Sequence, residues 1–207
     1  MYTTLFLVRN ADTEFSRDHR VAGRRDIALS ADGRRQAERL RDQLARLDIA
    51  EILASPLPRA VETAEIVAGA LGLGVVRDPR LVDFAAGEWE ARSHAEISAS
   101  AEYRRFIENP VSDGIPGGER LIDVRDRIVA AVSQALADNE LGANIMLVSH
   151  AGPLRVLLAH YLGMSLIHYH RLRLSPASVS ALRFESEEGV PRVLTMNCNA
   201  DPSPALR

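Results

Sequence analysis

The fold of this chain is decided near its amino terminus by the stretch LFLVRNADTE, residues 5–14. Four apolar residues end abruptly at Arg9, and a polar segment follows them. This pattern is typical of a buried strand that delivers an arginine to the edge of a sheet. Ligands of open α/β sheets bind at the carboxyl ends of the strands. Because the five fixed N–H donors of an arginine suit a phosphate group, we expect a strand over residues 3–8 that ends at an anion site.

The composition limits the classes to which the chain can belong. Its 207 residues suit one domain with a full core, and its formal net charge of −3 gives no reason to expect nucleic acid or a membrane as a partner. The single cysteine, Cys198, excludes an intramolecular disulfide and a multi-cysteine metal site. No signal peptide or bilayer-spanning run is visible. We therefore expect one cytoplasmic domain over residues 1–207, with a frayed tail at residues 199–207.

Two later segments repeat the pattern of a strand that ends in a polar side chain. Residues 51–54 predict a short strand, and the following SPLPRAVETA opens a helix with Arg59 near its start. Residues 145–149 predict a buried strand that stops at His150, with a helix from about Gly152. Free N–H groups at helix starts also favour anions. The sequence thus predicts a phosphate site that includes Arg9, Arg59 and His150, and the absence of a Gly-x-x-x-x-Gly-Lys loop argues against P-loop chemistry.

The remaining elements follow from periodicity and turn residues. Apolar residues at helical spacing predict one helix after the N-cap Ser30 and another from Leu121. Residues 10–29 are predicted to form a long polar loop over the site. Further predicted elements are one or two short helices in residues 93–109, an edge strand at residues 75–76, and two closing antiparallel strands at residues 178–184 and 192–196.

Together these motifs resemble the histidine phosphatase superfamily, the phosphoglycerate mutase-like proteins. LVRNADTE is similar to the family's Arg-His-Gly signature, SPLPRAVETA to its second signature, and residues 145–155 to its second histidine motif. The resemblance extends over residues 3–198. It implies a three-layer α/β/α sandwich with a mostly parallel central sheet, a small phosphorylated molecule as ligand, and no metal or organic cofactor. Because an edge strand can pair with the edge strand of a second copy, a homodimer is an open alternative.

The resemblance also implies roles for individual residues. Arg9, Arg59, Ser16 and His150 would contact the phosphate, and His150 would donate a hydrogen bond that stabilises the charged transition state. Asp83, in the segment that resembles the family's glutamate before a Gly-x-Trp-Glu run, would be the acid that protonates the leaving oxygen.

Several positions depart from the family pattern. Asp83 is one methylene shorter than the usual glutamate, and Glu88 and Glu90 are competing carboxylates nearby. Ser16 and Ala22 stand where the family usually has Asn and Gln. Ala91 stands where it usually has glycine.

The most consequential departure is Asn10, which occupies the position of the nucleophilic histidine. An amide nitrogen is delocalised into its carbonyl and does not attack phosphorus, although it can donate a hydrogen bond to phosphate. Loss of a nucleophile typically lowers turnover by on the order of 10⁴ or more.

Three hypotheses stay open from the sequence. In the first, the chain is a phosphomonoesterase whose histidine was replaced to trap a complex. In the second, it is a naturally degenerate phosphate-binding or regulatory module. In the third, it is an enzyme with altered chemistry, in which water attacks directly with Asp83 as a base, or another histidine such as His19 replaces the missing one. A phosphoglycerate-type mutase is less favoured.

Overall fold

A sheet of six strands forms the centre of the molecule, which a computed structural model describes over residues 2–186 and 189–199. In chain order the strands are β1 (Thr3–Arg9), β2 (Glu51–Ala54), β3 (Val76–Arg77), β4 (Asn144–Ser149), β5 (Val179–Phe184) and β6 (Arg192–Cys198). Their order across the sheet is β3-β2-β4-β1-β5-β6. The pairs from β3 to β1 are parallel, whereas β5 and β6 are antiparallel to their neighbours. The predicted α/β class is thereby confirmed.

Helices cover both faces of this sheet. They are α1 (Glu14–Arg17), α2 (Ala31–Leu44), α3 (Pro58–Leu71), α4 (His94–Ser98), α5 (Ala101–Glu108), α6 (Leu121–Asp138) and α7 (Ala151–Tyr161). Among the described residues, no helix has the length and apolar character needed to cross a membrane.

The alternation of side chains along β1 explains the three layers. Phe6 and Val8 belong to the core that packs against α2 and α3. Leu5 and Leu7 point the other way, into the core formed with α6 and α7. All four side chains are buried, as expected for a parallel strand that helices cover on both faces. The three-layer α/β/α arrangement predicted from the family resemblance is confirmed.

The structure refines several predicted boundaries. The predicted loop of residues 10–29 contains the short helix α1, whose N-cap Thr13 accepts a hydrogen bond from the backbone N–H of Ser16. The N-cap Ser30 is confirmed, since its hydroxyl accepts from Gly33 N. The predicted frayed tail lies outside the described residues apart from Asn199. That residues 1–207 form a single domain stays a prediction.

A close contact between two loops fixes the segment that carries Asp83. The backbone N–H of Glu88 donates to the Pro116 carbonyl at 3.0 Å, and Glu119 N donates to the Ala85 carbonyl at 2.9 Å. Gly87 lies at this contact with a φ of +48°, and an added Cβ would overlap the Pro116 carbonyl oxygen. Only glycine meets both requirements without strain.

We expect Gly87→Ala to lower the free energy of unfolding by about 2 kcal/mol or more, because positive φ and the overlap both oppose the methyl group. Gly69→Ala is the matched control, since Gly69 is exposed in α3 and an added Cβ meets no atom within 4 Å. That change should stabilise the protein by up to about 1 kcal/mol. Urea unfolding of both variants checks this, and equal effects would contradict the contact.

Candidate active site

The carboxyl ends of three neighbouring strands bring the predicted site residues to one edge of the sheet. β1 ends at Arg9, whose register partner on β4 is Ser149. Asn10 follows Arg9, and its backbone N–H donates to the Ser149 carbonyl at 2.8 Å. His150 follows Ser149 as the N-cap of α7. On the other side of β4, Ser55 follows β2 and donates its backbone N–H to Val148.

A cavity of about 610 Å³ opens at this edge, within the range of about 300 to 1,000 Å³ that is typical of ligand pockets. Every site residue predicted from the sequence lines it, namely Arg9, Asn10, Ser16, Arg59, Asp83 and His150. Arginines outnumber acids in its lining, so the cavity is cationic although the chain has a net charge of −3. Such a cavity attracts anions. Neither Glu88 nor Glu90 lines it.

Asn10 is 7% exposed, and its amide has a defined orientation. Nδ2 donates to the Ala11 carbonyl at 2.8 Å, and Oδ1 lies 3.1 Å from Nδ1 of His150. Turning the amide over would place two carbonyl oxygens against each other, which is unfavourable. One of the two amide N–H bonds is therefore committed to the backbone, and the amide presents an acceptor to His150.

Arg59 connects several segments of the site through hydrogen bonds. It is the second residue of α3 and is 2% exposed. Its two terminal nitrogens donate to the carbonyls of Arg25 at 3.0 Å and Gly23 at 2.7 Å. Nη2 also pairs with Oδ2 of Asp83 at 3.0 Å, and Nε donates to Nδ1 of His150 at 3.2 Å. One guanidinium thus joins the loop after α1, the acid position and the second histidine.

His150 is 1% exposed and uncharged at neutral pH, because burial lowers its pKa to about 3 despite the attraction of Asp83. A neutral ring carries one proton, so Nδ1 cannot both accept from Arg59 and donate to Asn10. Nε2 lies 2.8 Å from the hydroxyl of Ser55, which can donate or accept. Two tautomers therefore compete in the free site, and Ser55 can pair with either.

Asp83 is ionised in the free site. Burial raises the pKa of its carboxyl, but the neighbouring His150, the guanidinium of Arg59 and the N–H of Phe84 together lower it by more than burial raises it. The pKa consequently lies below its ordinary value. A general acid needs a raised pKa, so Asp83 without a ligand is in the wrong protonation state for that role.

The backbone of Asp83 is held by a second arginine. Arg127 of α6 donates to the carbonyls of Val82 at 2.8 Å and Asp83 at 3.2 Å. Its ion pair with Glu119 measures 3.1 Å, and the same carboxylate accepts from Ala85 N at 3.0 Å. These partly buried contacts fix the approach of Asp83 to Arg59.

The other two predicted phosphate contacts differ in how their polar atoms are used. Arg9 donates from Nη1 to the Leu174 carbonyl, while its buried Nε has no partner among the described residues. Burial lowers the pKa of Arg9 to about 10, so it stays charged at neutral pH. The hydroxyl of Ser16 donates to Oδ1 of Asp12 at 2.7 Å and accepts from Thr13 N at 2.8 Å. Arg9 has donors to offer a ligand, and Ser16 has its hydroxyl proton already engaged.

Three contributors to the site were not assigned from the sequence. Ser55 was detectable, because it follows a strand at the same sheet edge as Arg9 and His150. Arg155 lines the cavity from α7, and the signal for it was its place as the last residue of the 145–155 segment that resembles the second histidine motif. Nothing singled out Arg127, since an arginine beside the apolar stripe of a helix is ordinarily a surface residue.

The structure also shows the surroundings of the residues that depart from the family pattern. Ala91 has a φ of +64°, a conformation that favours the glycine usual at this position. Ala22 lines the cavity with a methyl group. His19 and His94 line it as well.

In the described part of the chain, no group of three or more His, Cys, Asp or Glu residues is placed to hold a metal.

Comparisons with known proteins agree with this architecture. The family model of the histidine phosphatase superfamily (branch 1) matches residues 5–199. A probable phosphoglycerate mutase GpmB of Enterobacter sp. (strain 638) is 34% identical over 183 residues, which cover 87% of this chain and 85% of that protein.

Two solved structures share the fold over nearly the whole chain. YhfR of Bacillus stearothermophilus is 30% identical with a TM-score of 0.87, covering 97% of this chain and 99% of that one. A mycobacterial glucosyl-3-phosphoglycerate phosphatase in complex with VO3 is 28% identical with a TM-score of 0.86, covering 94% and 99%. With a family match over almost its full length, this chain belongs to the histidine phosphatase superfamily.

Proposed function

We propose that the site binds the phosphate group of a small phosphorylated metabolite, and that the chain is a phosphomonoesterase scaffold whose hydrolysis is impaired by Asn10. The observation that carries this proposal is the convergence of Arg9, Arg59, Asp83 and His150 in one cationic cavity beside Asn10. Two arginines supply the charge that a phosphate dianion requires, with N–H donors that match its oxygens.

A bound anion would remove the conflict at Nδ1 of His150, which cannot both accept a hydrogen bond from Arg59 and donate one to Asn10. If Ser55 donates its hydroxyl proton to Nε2, the ring proton resides on Nδ1. A phosphate oxygen can then accept both from Nδ1 of His150 and from Nε of Arg59, two donors that cannot satisfy each other. In this arrangement His150 donates a hydrogen bond to the charge that develops on the phosphoryl group.

Phosphate binding would also raise the pKa of Asp83, as its role as a general acid requires. A bound dianion is a like charge, so it raises the pKa of the neighbouring carboxyl. It competes as well for the guanidinium of Arg59, which keeps Asp83 ionised in the free site. The phosphate therefore drives Asp83 towards the protonated form that can give a proton to the leaving oxygen.

Asn10 accounts for the impairment. A histidine at this position would donate from Nδ1 to the Ala11 carbonyl, as the amide now does, and would turn the lone pair of Nε2 to the cavity. Asn10 keeps the hydrogen bond and lacks the lone pair. The transfer of a phosphoryl group to the protein is therefore blocked, and only slower attack by water is left.

Known relatives support a phosphate ester as the ligand. The mycobacterial glucosyl-3-phosphoglycerate phosphatase is also described in a complex with inorganic phosphate. A phosphoglycerate mutase activity, as in the names of the curated relatives, would need the same missing histidine.

A binding or regulatory module is the second candidate. Ser16 favours it, because its hydroxyl proton is engaged by Asp12 instead of being free for a ligand. A cytoplasmic location and a homodimer stay predictions.

We expect Asn10→His to raise phosphate release from small phosphomonoesters by on the order of 10⁴, because it restores a nucleophile to an otherwise complete pocket. A panel of such esters, assayed for inorganic phosphate, checks this. Asn10→Ala is the control and should be no more active than the parent. Equal turnover by the parent and Asn10→His would contradict the assigned role of position 10, and binding without turnover by either would favour the module.

In the Asn10→His background, Asp83→Asn should lower hydrolysis of alkyl phosphates by about 10²–10⁴, because the leaving alkoxide needs a proton. Hydrolysis of p-nitrophenyl phosphate should fall far less, since nitrophenolate leaves without one. The ratio of the two rates is the measurement, and Glu90→Gln is the control, because Glu90 is held by Arg24 N outside the cavity. Equal losses for both substrates would assign Asp83 a role in binding only.

A further inference from the structure

Ser55 is buried beside His150, and its hydroxyl contacts the imidazole ring. The hydroxyl oxygen lies 2.8 Å from Nε2 of His150, and both residues are shielded from solvent. The same oxygen accepts a hydrogen bond from the backbone N–H of Leu57 at 3.3 Å. This is a local pattern of turns, in which a serine oxygen accepts from the N–H two residues later in the chain. Ser55 therefore connects the turn before α3 to the ring of His150.

The hydrogen bond from Leu57 determines where the proton of the Ser55 hydroxyl points. In the described part of the chain, Leu57 N and Nε2 of His150 are the two polar partners of this hydroxyl. Because a backbone N–H can only donate, the ring nitrogen is the partner that is left to accept the hydroxyl proton. Donation to Nε2 satisfies all three groups. It requires a lone pair on Nε2, so the ring proton must reside on Nδ1.

Asn10 favours the same tautomer from the other side of the ring. Its Nδ2 donates to the Ala11 carbonyl, which turns Oδ1 towards Nδ1 of His150 at 3.1 Å. With the proton on Nδ1, the ring donates to this oxygen. With the proton on Nε2, the oxygen would face a nitrogen lone pair, and the hydroxyl proton of Ser55 would have no acceptor among the described residues. Two contacts on opposite sides of the ring thus select Nδ1.

Among the described groups at the ring, Arg59 opposes this tautomer. Its Nε lies 3.2 Å from Nδ1 of His150 and can donate only to an unprotonated nitrogen. Its terminal nitrogens keep their partners Gly23, Arg25 and Asp83 with either tautomer. One mismatched contact stands against two, so a proton on Nδ1 leaves fewer buried polar groups unsatisfied. It also leaves two N–H donors side by side, Nδ1 of the ring and Nε of the guanidinium.

We propose that Ser55 is a positioning residue that holds the proton of His150 on Nδ1 in the free protein, and so keeps His150 and Arg59 as a pair of donors for one anionic oxygen. Ser55 itself does not line the cavity, so it acts through the ring. The position of the proton is a property of the protein without ligand, whereas its consequence for binding rests on the proposed phosphate site.

NMR of the ligand-free protein with ¹⁵N-labelled histidine tests the position of the proton. The protonated and unprotonated nitrogens of a neutral imidazole resonate far apart, so the spectrum distinguishes the tautomers. His150 is identified among the six histidines by the signal that is lost in His150→Gln. We expect the proton on Nδ1 in the parent and on Nε2 in Ser55→Ala. Without the hydroxyl, the charged donor Arg59 takes Nδ1 as its acceptor.

Ser55→Ala should also bind inorganic phosphate about five- to tenfold more weakly in calorimetry at neutral pH, because the ring proton must return to Nδ1 before binding. Ser149→Ala is the matched control. Ser149 is equally buried and precedes His150, but it donates its hydroxyl proton to the Leu81 carbonyl at 2.7 Å. This variant should keep both the tautomer and the affinity. Ser55→Cys retains a weak donor and should bind with an affinity between those of the parent and Ser55→Ala.

Two results would overturn the inference. One is a proton on Nε2 in the parent, and the other is the same tautomer in the parent and in Ser55→Ala. A change of tautomer with no change in phosphate affinity would overturn the proposed link to ligand binding. Failure of the parent to bind inorganic phosphate, with its proton on Nδ1, would instead overturn the proposed function and leave the role of Ser55 at the ring in place.

Discussion

The guanidinium of Arg59 is the constraint on which the site depends. It is buried at the start of α3 and bonds to the carbonyls of Gly23 and Arg25, to Asp83 and to His150. A buried charge needs such partners, so the segments that supply them are drawn to one point. A ligand phosphate would enter this network as a competing partner, which connects binding to the protonation of Asp83.

Asn10 joins this network at the position where the family resemblance implies a nucleophilic histidine. Its Nδ2 donates a hydrogen bond to the Ala11 carbonyl just after β1. Its Oδ1 lies next to Nδ1 of His150. An acceptor in this place is unfavourable for the tautomer in which Nδ1 carries no proton. Under the proposed function, binding and catalysis would therefore be separable, because the arginines proposed to hold a phosphate line the cavity and position 10 carries no nucleophilic side chain.

Sequence reasoning succeeded where local rules decide the outcome. The strand ends at Arg9 and His150, the helix that starts at Pro58 and the N-cap Ser30 follow from apolar runs, proline and capping residues. Because parallel strands end at the same sheet edge, these motifs also predicted that the side chains would converge. The short helix α1 was missed, since its capping box occupies only a few residues of a polar loop.

The sequence by itself determined the fold class, the sheet edge at which the site lies and the absence of a nucleophilic side chain at position 10. Tertiary structure alone decided the electrostatics. Burial makes His150 neutral, the groups around Asp83, Arg59 among them, lower the pKa of its carboxyl, and the buried Nε of Arg155 has no hydrogen-bond partner among the described residues. These properties depend on distances between residues far apart in the chain and on their exclusion from water, which local sequence patterns do not encode.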